Sequence, residues 1–263
     1  MKKFFVIGNP IEHSLSPKLH NHWIKKNNIS AVYDKKKLEN HNLERIILDV
    51  KESKIDGINV TVPYKKSIIR FLDELSPEAN KTQSVNTIYL SEGKTIGHNT
   101  DIAGFELALR HSKFDVNKKE IFILGAGGVS PSIIFSLNKM NPSKITLSNR
   151  TKKKAQDLKI LFKNIDIVEW GEVPNFDMII NATSIGLKED DEINLDYSNI
   201  GKNKFFYDLI YNPKQTKFLK KAKSYGCRTE NGKMMFLYQA HQSFTIWNKI
   251  MPEIDEETIK LLD

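Results

Sequence analysis

The sequence predicts an α/β fold with two lobes, each built around a mostly parallel β-sheet. Three observations lead to this prediction. Short apolar runs typical of buried strands alternate with segments of helical periodicity along nearly the whole chain. The 263 residues suffice for two domains of ordinary size. A glycine-rich turn between a strand and a helix begins a second series of strands near the middle of the chain, at Ile121.

The first lobe begins with an apolar strand and continues as an alternation of helices and strands. Leu19, Trp23 and Ile24 recur at helical spacing and predict one buried face on the first helix. The predicted elements are strand 4–8, helix 17–27, strand 31–33, helix 43–50, strand 57–62, helix 64–72 and a hairpin of 85–90 with 95–97. A helix over 100–111 then leads out of this lobe.

The second lobe continues the alternation of strands and helices, which favours a mostly parallel sheet. Its predicted elements are strand 121–124, a helix ending near residue 140, strand 145–147, helix 152–162, strands 177–181 and 205–208, and helices 216–225 and 234–249. The last helix is rich in large apolar side chains, so its expected role is packing, against the first lobe.

A glycine turn, Gly125-Ala126-Gly127-Gly128, lies between the strand at 121–124 and the following helix. Backbone N–H groups in such a turn can face a pyrophosphate. Proteins that bind NAD this way usually carry an acidic residue after the second strand, but Asn149-Arg150-Thr151 stands there. A guanidinium binds a 2′-phosphate that a carboxylate would repel. The sequence therefore predicts NADP; the alternative is a glycine turn without a ligand, since Ser130 replaces the expected third small residue.

The composition excludes several classes of function. The net charge of +8 comes mostly from scattered lysines, and no basic stripe interleaves with aromatic residues, so nucleic-acid binding is not expected. The single cysteine, Cys227, permits neither an intrachain disulfide nor a cysteine-cluster metal site. The apolar run at 4–7 is too short for a signal peptide, and no apolar stretch reaches the length of a membrane span. We expect a cytoplasmic protein that binds no metal and no membrane.

Polar side chains in the first lobe concentrate after predicted strands. Ser14 and Ser16 flank the start of a helix, where two hydroxyls can receive a carboxylate; a simple N-cap and turn is the alternative. Thr61 lies at the end of the predicted third strand and Lys65 opens the next helix, although most lysines of a lysine-rich chain are solvated surface charges.

Two further polar positions lie near the predicted hairpin. Asn86 could hydrogen-bond substrate hydroxyls. Asp101 could be a helix N-cap, but a carboxylate near the Lys65 ammonium would make a tunable acid–base pair. In the second lobe, Thr183 follows a strand and is expected at the cofactor edge, although turns after 181, 208 and 231 are individually ordinary.

Taken together, these blocks resemble the shikimate dehydrogenase family from about residue 5 to residue 247, with seven motifs in family order. The resemblance implies a substrate-binding and catalytic lobe at 1–101, joined by about 234–263, and a Rossmann-type NADP-binding lobe at 102–233. It implies that the C-terminal helix returns to the first lobe. The implied reaction is reversible hydride transfer between NADPH and the C3 carbonyl of 3-dehydroshikimate, a small-molecule step in chorismate and aromatic amino-acid biosynthesis, by a monomer or homodimer.

The resemblance also assigns roles to matching positions. It implies that Lys65 and Asp101 form the catalytic pair. The implied substrate contacts are Ser14 and Ser16 to the carboxylate, and Thr61, Asn86, Gln239 and the nearby Tyr211 to the ring hydroxyls. The implied cofactor contacts are Gly125, Ala126, Gly127 and Gly128 at the pyrophosphate, Asn149, Arg150 and Thr151 at the 2′-phosphate, and Thr183, Leu209 and Gly232 at the nicotinamide side.

Several positions depart from the family pattern. Lys154 stands where a second arginine is common, which keeps the charge and loses the fork geometry. Leu187 and Leu209 replace frequent methionines. Two alternatives stay open: a quinate/shikimate dehydrogenase that uses NAD, which would favour an acidic residue near 150, and a non-catalytic shikimate-binding regulatory module, which should have lost Lys65 or Asp101.

Overall fold

The computed structural model describes residues 1–197 and 200–263. The chain divides into two compact units, each with its own β-sheet. Unit 1 comprises residues 1–104 and 237–263, and unit 2 comprises residues 105–236. Both unit boundaries therefore fall inside helices, α4 (Asp101–His111) and α8 (Lys233–Asn248). The α/β class and the mostly parallel sheets expected from the sequence are confirmed.

The sheet of unit 1 has six strands in the order β2-β1-β3-β5-β6-β4. The pairs β1–β2, β1–β3 and β4–β6 are parallel, whereas β5 pairs antiparallel with both β3 and β6. The strands are β1 (Lys2–Gly8), β2 (Ala31–Lys37), β3 (Gly57–Val60), β4 (Glu74–Leu75), β5 (Thr87–Ser91) and β6 (Lys94–His98).

This topology brings several chain segments to one edge of the sheet. Because β1 and β3 are parallel, the loops after Gly8 and Val60 leave from the same edge. Because β5 runs the other way, with Thr87 opposite Asn59, its first residue lies at that edge too. The partner of Thr87 on β6 is His98, the last residue of that strand. The segments around 9–17, 61–66, 86 and 99–101 therefore meet at one edge.

The helices of unit 1 begin where the sequence supplies local signals. Pro17 lies in the first turn of α1, and Ser76 accepts a hydrogen bond from Ala79 N at 3.2 Å as the N-cap of α3. Asp255 caps α9 in the same way, through Thr258 N at 2.9 Å. Four α-helices lie wholly in unit 1: α1 (Ser16–Lys26), α2 (Leu43–Lys51), α3 (Pro77–Thr82) and α9 (Glu256–Lys260). Helix α4 begins in unit 1, and the larger part of α8 belongs to it.

The sheet of unit 2 is entirely parallel, with the order β12-β11-β10-β7-β8-β9. The strand order reverses between β7 and β10, which is where open α/β sheets bind ligands beyond their carboxyl ends. The strands are β7 (Glu120–Leu124), β8 (Lys144–Ser148), β9 (Ile165–Val168), β10 (Met178–Asn181), β11 (Phe205–Asp208) and β12 (Arg228–Glu230). The helices between them are α5 (Ser130–Lys139), α6 (Lys152–Leu161) and α7 (Lys217–Ser224).

The structure corrects the expected helix at 64–72. Residues 62–66 form turns, and only Ser67–Phe71 is helical, as a 3₁₀ helix. Lys65 therefore lies in a turn and does not open a helix. The strand before it is also shorter than expected and ends at Val60, so that Thr61 follows it. Val62 precedes Pro63 and is therefore disfavoured in the helical region, so no helix begins at Val62.

His20 is a core residue of unit 1. Its ring stacks on Tyr33 with the centroids 4.2 Å apart, and the side chain is 1% exposed. Its Nε2 has no hydrogen-bond partner within the described part of the chain. Burial of the ring disfavours the charged form and lowers the pKa of His20 to about 3.

We expect the folded protein to lose stability at acidic pH through His20. The folded pKa of about 3 lies below the ordinary 6.5, so the unfolded chain takes up the proton first as the pH falls. The stabilisation is complete above pH 6.5 and is lost progressively toward pH 3, by about 2 kcal/mol between pH 6.5 and pH 5. Urea unfolding at pH 7 and pH 5 should show a loss in His20→Phe that is smaller by about 2 kcal/mol than the loss in the wild type. The exposed His41, changed to Gln, is the control and should leave the loss intact.

None of the helices in the described residues is both long enough and apolar enough to cross a membrane.

Candidate active site

Lys65 and Asp101 form a buried ion pair at the polar edge of the unit 1 sheet. Lys65 Nζ lies 2.5 Å from Asp101 Oδ2, and the two residues are 8% and 5% exposed. The backbone fixes Lys65 as well, because its carbonyl accepts a hydrogen bond from Val85 N at 2.9 Å. Asp101 is the first residue of α4. A buried ion pair requires further hydrogen bonds to offset the loss of hydration, and the carboxylate has one more acceptor oxygen to satisfy.

Asn86 supplies that hydrogen bond. Its Nδ2 donates to Asp101 Oδ1 at 3.0 Å and also lies 2.9 Å from Thr100 Oγ1. Its Oδ1 accepts from Thr100 N at 2.7 Å, which fixes the orientation of the amide. Gln239 of α8 joins the group, because Asn86 Nδ2 lies 3.4 Å from Gln239 Oε1. The structure thus brings together Lys65, Asp101, Asn86 and Gln239, which come from four separate parts of the sequence.

A second layer of buried hydroxyls and amides supports this group. Ser243 Oγ lies 2.8 Å from Thr87 Oγ1, 3.2 Å from Thr100 Oγ1 and 3.0 Å from Asn59 Nδ2. Tyr33 Oη donates to Asn59 Oδ1 at 2.7 Å. Sequence reasoning missed Ser243 and assigned no role to Thr87; the available signal for Ser243 was a serine one helical turn after Gln239 on an otherwise apolar helix face. Fully connected polar networks of this kind hold their members in one arrangement.

Ser14, Ser16 and Thr61 follow strands at the same edge of the sheet. Ser16 is the first residue of α1 and is 6% exposed, and its N–H donates to Ser14 Oγ at 3.3 Å. Thr61 is half-buried, and its Cγ2 lies 2.6 Å from the position that a Cβ on residue 8 would occupy. Gly8 therefore permits the loop after β1 and the turn after β3 to approach closely. Two serine hydroxyls at a helix N-terminus suit a carboxylate.

The glycine turn in unit 2 is shaped by specific contacts. Gly125 has a φ of +107°, and a Cβ there would lie 2.9 Å from the backbone of Ala182. Ser130, the first residue of α5, is fully buried. Its Oγ donates to Gly125 O at 2.8 Å and accepts from Gly127 N at 3.1 Å. The serine that departs from the glycine motif thus closes the turn. Gly127 is exposed, and Gly128 is half-buried.

Asn149 joins the glycine turn to the end of β8. Its Oδ1 accepts from Ala126 N at 2.9 Å, and its Nδ2 donates to Thr151 O at 2.8 Å. The amide of Asn149 is thus used inside the protein, whereas Arg150 and Thr151 are exposed at the start of α6. Lys154 is also exposed, and no residue of the described chain forms an ion pair with Arg150 or Lys154. Neighbouring Lys152 pairs with Glu169.

Thr183, Leu209, Tyr211 and Gly232 lie on loops after strands of unit 2. Thr183 Oγ1 donates to Asn181 Oδ1 at 2.7 Å and accepts from Ile185 N at 3.0 Å. The Tyr211 ring stacks on Phe236 with the centroids 4.4 Å apart. Tyr211 belongs to unit 2, unlike the other expected substrate-binding residues, which lie in unit 1.

Gly232 packs directly against the backbone of Leu209. An added Cβ would overlap the Leu209 carbonyl, with the carbonyl carbon 2.6 Å away. We expect Gly232→Ala to lower the free energy of unfolding by about 1–3 kcal/mol, because a backbone group must move rather than a side chain. Thermal unfolding measures this. Gly201→Ala is the control, since a Cβ there meets no atom of the described residues within 4 Å, and equal losses in both variants would contradict the packing argument.

The described residues contain no group of three or more histidine, cysteine, aspartate or glutamate side chains arranged to hold a metal ion.

Comparisons with known proteins agree across the whole chain. Residues 6–88 match the family described as shikimate dehydrogenase substrate binding domain, and residues 106–209 match shikimate / quinate 5-dehydrogenase. A shikimate dehydrogenase (NADP(+)) of Pelagibacter ubique is 60% identical over 262 residues, covering 100% of this chain and 99% of the relative. The chain belongs to the shikimate dehydrogenase family.

Solved structures of this family have the same fold. The shikimate dehydrogenase of Aquifex aeolicus superposes with a TM-score of 0.91 at 36% identity, covering 100% of this chain and 97% of that one. The shikimate 5-dehydrogenase of Thermus thermophilus, solved with NADP(H) and shikimate, gives a TM-score of 0.89 at 28% identity, covering 100% and 98%. The resemblance to shikimate dehydrogenases seen in the sequence is confirmed.

Proposed function

We propose that this chain catalyses the reversible, NADPH-dependent reduction of 3-dehydroshikimate to shikimate. The observation that carries the proposal is the buried Lys65–Asp101 pair, with Asn86 and Gln239 hydrogen-bonded beside it. The relative of 60% identity is named for the same activity. Unit 1 is proposed as the substrate-binding and catalytic domain, and unit 2 as the NADP-binding domain.

The residues of unit 2 fit a dinucleotide with a 2′-phosphate. The turn at Gly125–Gly128 leads into α5 at the strand-order reversal of a parallel sheet, and Gly127 is exposed. Asn149 together with the exposed Arg150, Thr151 and Lys154 would hold the 2′-phosphate, and the Asn149 amide also fixes the loop that carries them. Thr183, Leu209 and Gly232 would line the nicotinamide side. When bound, NADPH supplies the hydride that reduces the substrate carbonyl.

Lys65 is proposed to hold and move the proton at the substrate C3 oxygen. Negative charge develops on that oxygen during reduction, and the Lys65 ammonium stabilises it and donates the proton. In the reverse direction neutral Lys65 accepts the proton from the C3 hydroxyl. Asp101 orients the Lys65 ammonium through the 2.5 Å contact and can accept a hydrogen bond from an adjacent substrate hydroxyl.

The remaining residues of unit 1 are proposed to fix the substrate. Ser14 and Ser16 would donate hydroxyl hydrogen bonds to its carboxylate at the start of α1. Thr61, Asn86 and Gln239 would contact the ring hydroxyls, and Tyr211 is proposed for the same task. Positioning of this kind lowers the entropic part of the barrier.

We further propose that the enzyme works in the cytoplasm as a monomer or homodimer. The only cysteine, Cys227, is buried and free, as is usual in a reducing compartment. Light scattering after size exclusion will give the number of subunits.

The test is a spectrophotometric assay at the absorbance of NADPH. Purified protein is supplied with shikimate or quinate, and with NADP or NAD in parallel. Turnover confined to shikimate and NADP is the expected result. Comparable turnover of quinate with NAD would indicate the broader quinate/shikimate activity. Shikimate binding by calorimetry without turnover of any pair would indicate a non-catalytic binding module.

A further inference from the structure

Asp208 is a fully buried carboxylate that the proposed chemistry does not use. It is the last residue of β11 and is 0% exposed. Burial raises the pKa of this carboxyl group to about 6, against the opposing effect of its hydrogen bonds. No lysine or arginine within residues 1–197 and 200–263 pairs with it. Burying a carboxylate without a cation costs folding free energy, and the three hydrogen bonds that Asp208 accepts offset part of that cost.

Those three donors come from three different segments of unit 2. Asn181 Nδ2, at the end of β10, donates to Asp208 Oδ1 at 3.0 Å. Ile210 N, in the turn after β11, donates to the same oxygen at 3.0 Å. Thr216 Oγ1 donates to Asp208 Oδ2 at 2.6 Å, and Thr216 is also the N-cap of α7. The carboxylate therefore joins the loop after β10 to the loop after β11.

The link continues from Asn181 to Thr183. Asn181 Oδ1 accepts from Thr183 N at 3.0 Å and from Thr183 Oγ1 at 2.7 Å, while its Nδ2 also donates to Ile185 O at 3.1 Å. Because Asn181 can satisfy Thr183 and Asp208 only in one amide orientation, the two loops share one arrangement. A Cβ on Gly186 would lie 3.0 Å from Thr216 Cγ2, so the loops also pack directly.

We propose that Asp208 is a positioning residue for the nicotinamide end of the cofactor: by holding the Thr183–Gly186 and Leu209–Tyr211 loops together, it sets where their side chains stand. The proposal rests on the function proposed above. Asp208 is 0% exposed, and its proposed effect passes through Asn181 and Ile210 N rather than through a contact of its own with substrate or cofactor. Arg150, proposed to hold the 2′-phosphate, has no hydrogen bond to this network in the described residues.

The test separates the two ends of the cofactor. Asp208→Asn keeps the shape of the side chain and replaces one acceptor oxygen by an amide donor facing Thr216. We expect kcat/KM for NADP at saturating shikimate to fall about 10-fold, the effect of weakening one hydrogen bond to a charged group. The Kd of 2′,5′-ADP, which has the 2′-phosphate and lacks the nicotinamide, should stay within about twofold by calorimetry.

Asp177→Asn is the matched control. Asp177 is half-buried and directly precedes β10, at the end of the strand opposite to Asn181. Its side chain accepts a hydrogen bond from Glu120 N at 2.9 Å, so it is a structural carboxylate of the same unit. We expect Asp177→Asn to change neither kcat/KM for NADP nor the Kd of 2′,5′-ADP. Thr216→Val, which keeps the shape and removes the donor to Asp208 Oδ2, is the second variant. It should lower kcat/KM for NADP by less than Asp208→Asn does and leave the Kd of 2′,5′-ADP unchanged.

Equal weakening of 2′,5′-ADP and NADP in Asp208→Asn would overturn the proposal, because a general structural defect affects both ends. Unchanged kinetics in Asp208→Asn would also overturn it. The wild type distinguishes these results from failure of the proposed function. If the wild-type protein binds neither 2′,5′-ADP nor NADPH, both the proposed function and this proposal are wrong. Wild-type binding with no split in the variants removes this proposal alone.

Discussion

Lys65→Ala should lower kcat for shikimate oxidation by about 10²–10⁴-fold, while KM for shikimate changes little. The size of the effect is that of general acid–base catalysis, which acts in the transition state rather than in the bound ground state. The substitution leaves Asp101 buried without its cation, and among the described residues Asn86 is then the one side chain that still donates to its carboxylate. Steady-state kinetics with both substrates varied measure kcat and KM separately.

Lys66→Ala is the matched control for this substitution. Lys66 is the next residue of the same turn and is exposed, so its loss removes the same charge without touching the buried pair. It should leave kcat within about twofold, as exposed charges contribute little. A raised KM with an unchanged kcat in Lys65→Ala would make Lys65 a substrate-binding residue. Thermal unfolding of both variants separates catalytic loss from loss of folded protein.

The edge of the unit 1 sheet was largely predictable from the sequence. Polar residues after apolar strands pointed to Lys65 and Asp101, and the structure places their charged atoms 2.5 Å apart. The reason is geometric, because parallel strands and a hairpin return their ends to one edge of a sheet. The catalytic roles of these residues stay a prediction. The turn that carries Lys65 was wrongly expected as a helix, since its apolar spacing suits either state.

Other features could not be predicted because they depend on contacts between distant segments. Ser243 and Thr87 are 156 residues apart and meet only after the fold forms. The sequence did not show that the Asn149 amide accepts from Ala126 N and donates to Thr151 O, and its contact with the 2′-phosphate stays a prediction. The strands β4, β9 and β12 were missed because none of them has a continuous apolar run: their sequences are Glu-Leu, Ile-Asp-Ile-Val and Arg-Thr-Glu. In the sequence Asp208 looks like part of an ordinary turn. The structure is needed to show that its side chain is buried and accepts three hydrogen bonds.

Arg150→Ala should lower kcat/KM for NADP by about 100-fold and leave kcat/KM for NAD within about threefold. A guanidinium bound to a phosphate makes two charge-assisted hydrogen bonds, and the loss of about 3 kcal/mol corresponds to that factor. Arg150 is exposed and forms no ion pair within the described residues, so its removal breaks no internal contact that NAD binding also needs. Parallel kinetics with both cofactors at saturating shikimate measure the change in preference.

Arg110→Ala is the control, because Arg110 is an exposed arginine of the same unit on α4, and its loss lowers the net charge equally. It should reduce neither value by more than about twofold. Lys154→Ala should give a smaller selective loss than Arg150→Ala, since an ammonium contributes a point charge without the planar fork. Equal losses with NADP and NAD in Arg150→Ala would move Arg150 from recognition of the 2′-phosphate to the shared adenosine or pyrophosphate. The preference for NADP would then have to come from Lys154 and Thr151 together, and the double variant would measure that contribution.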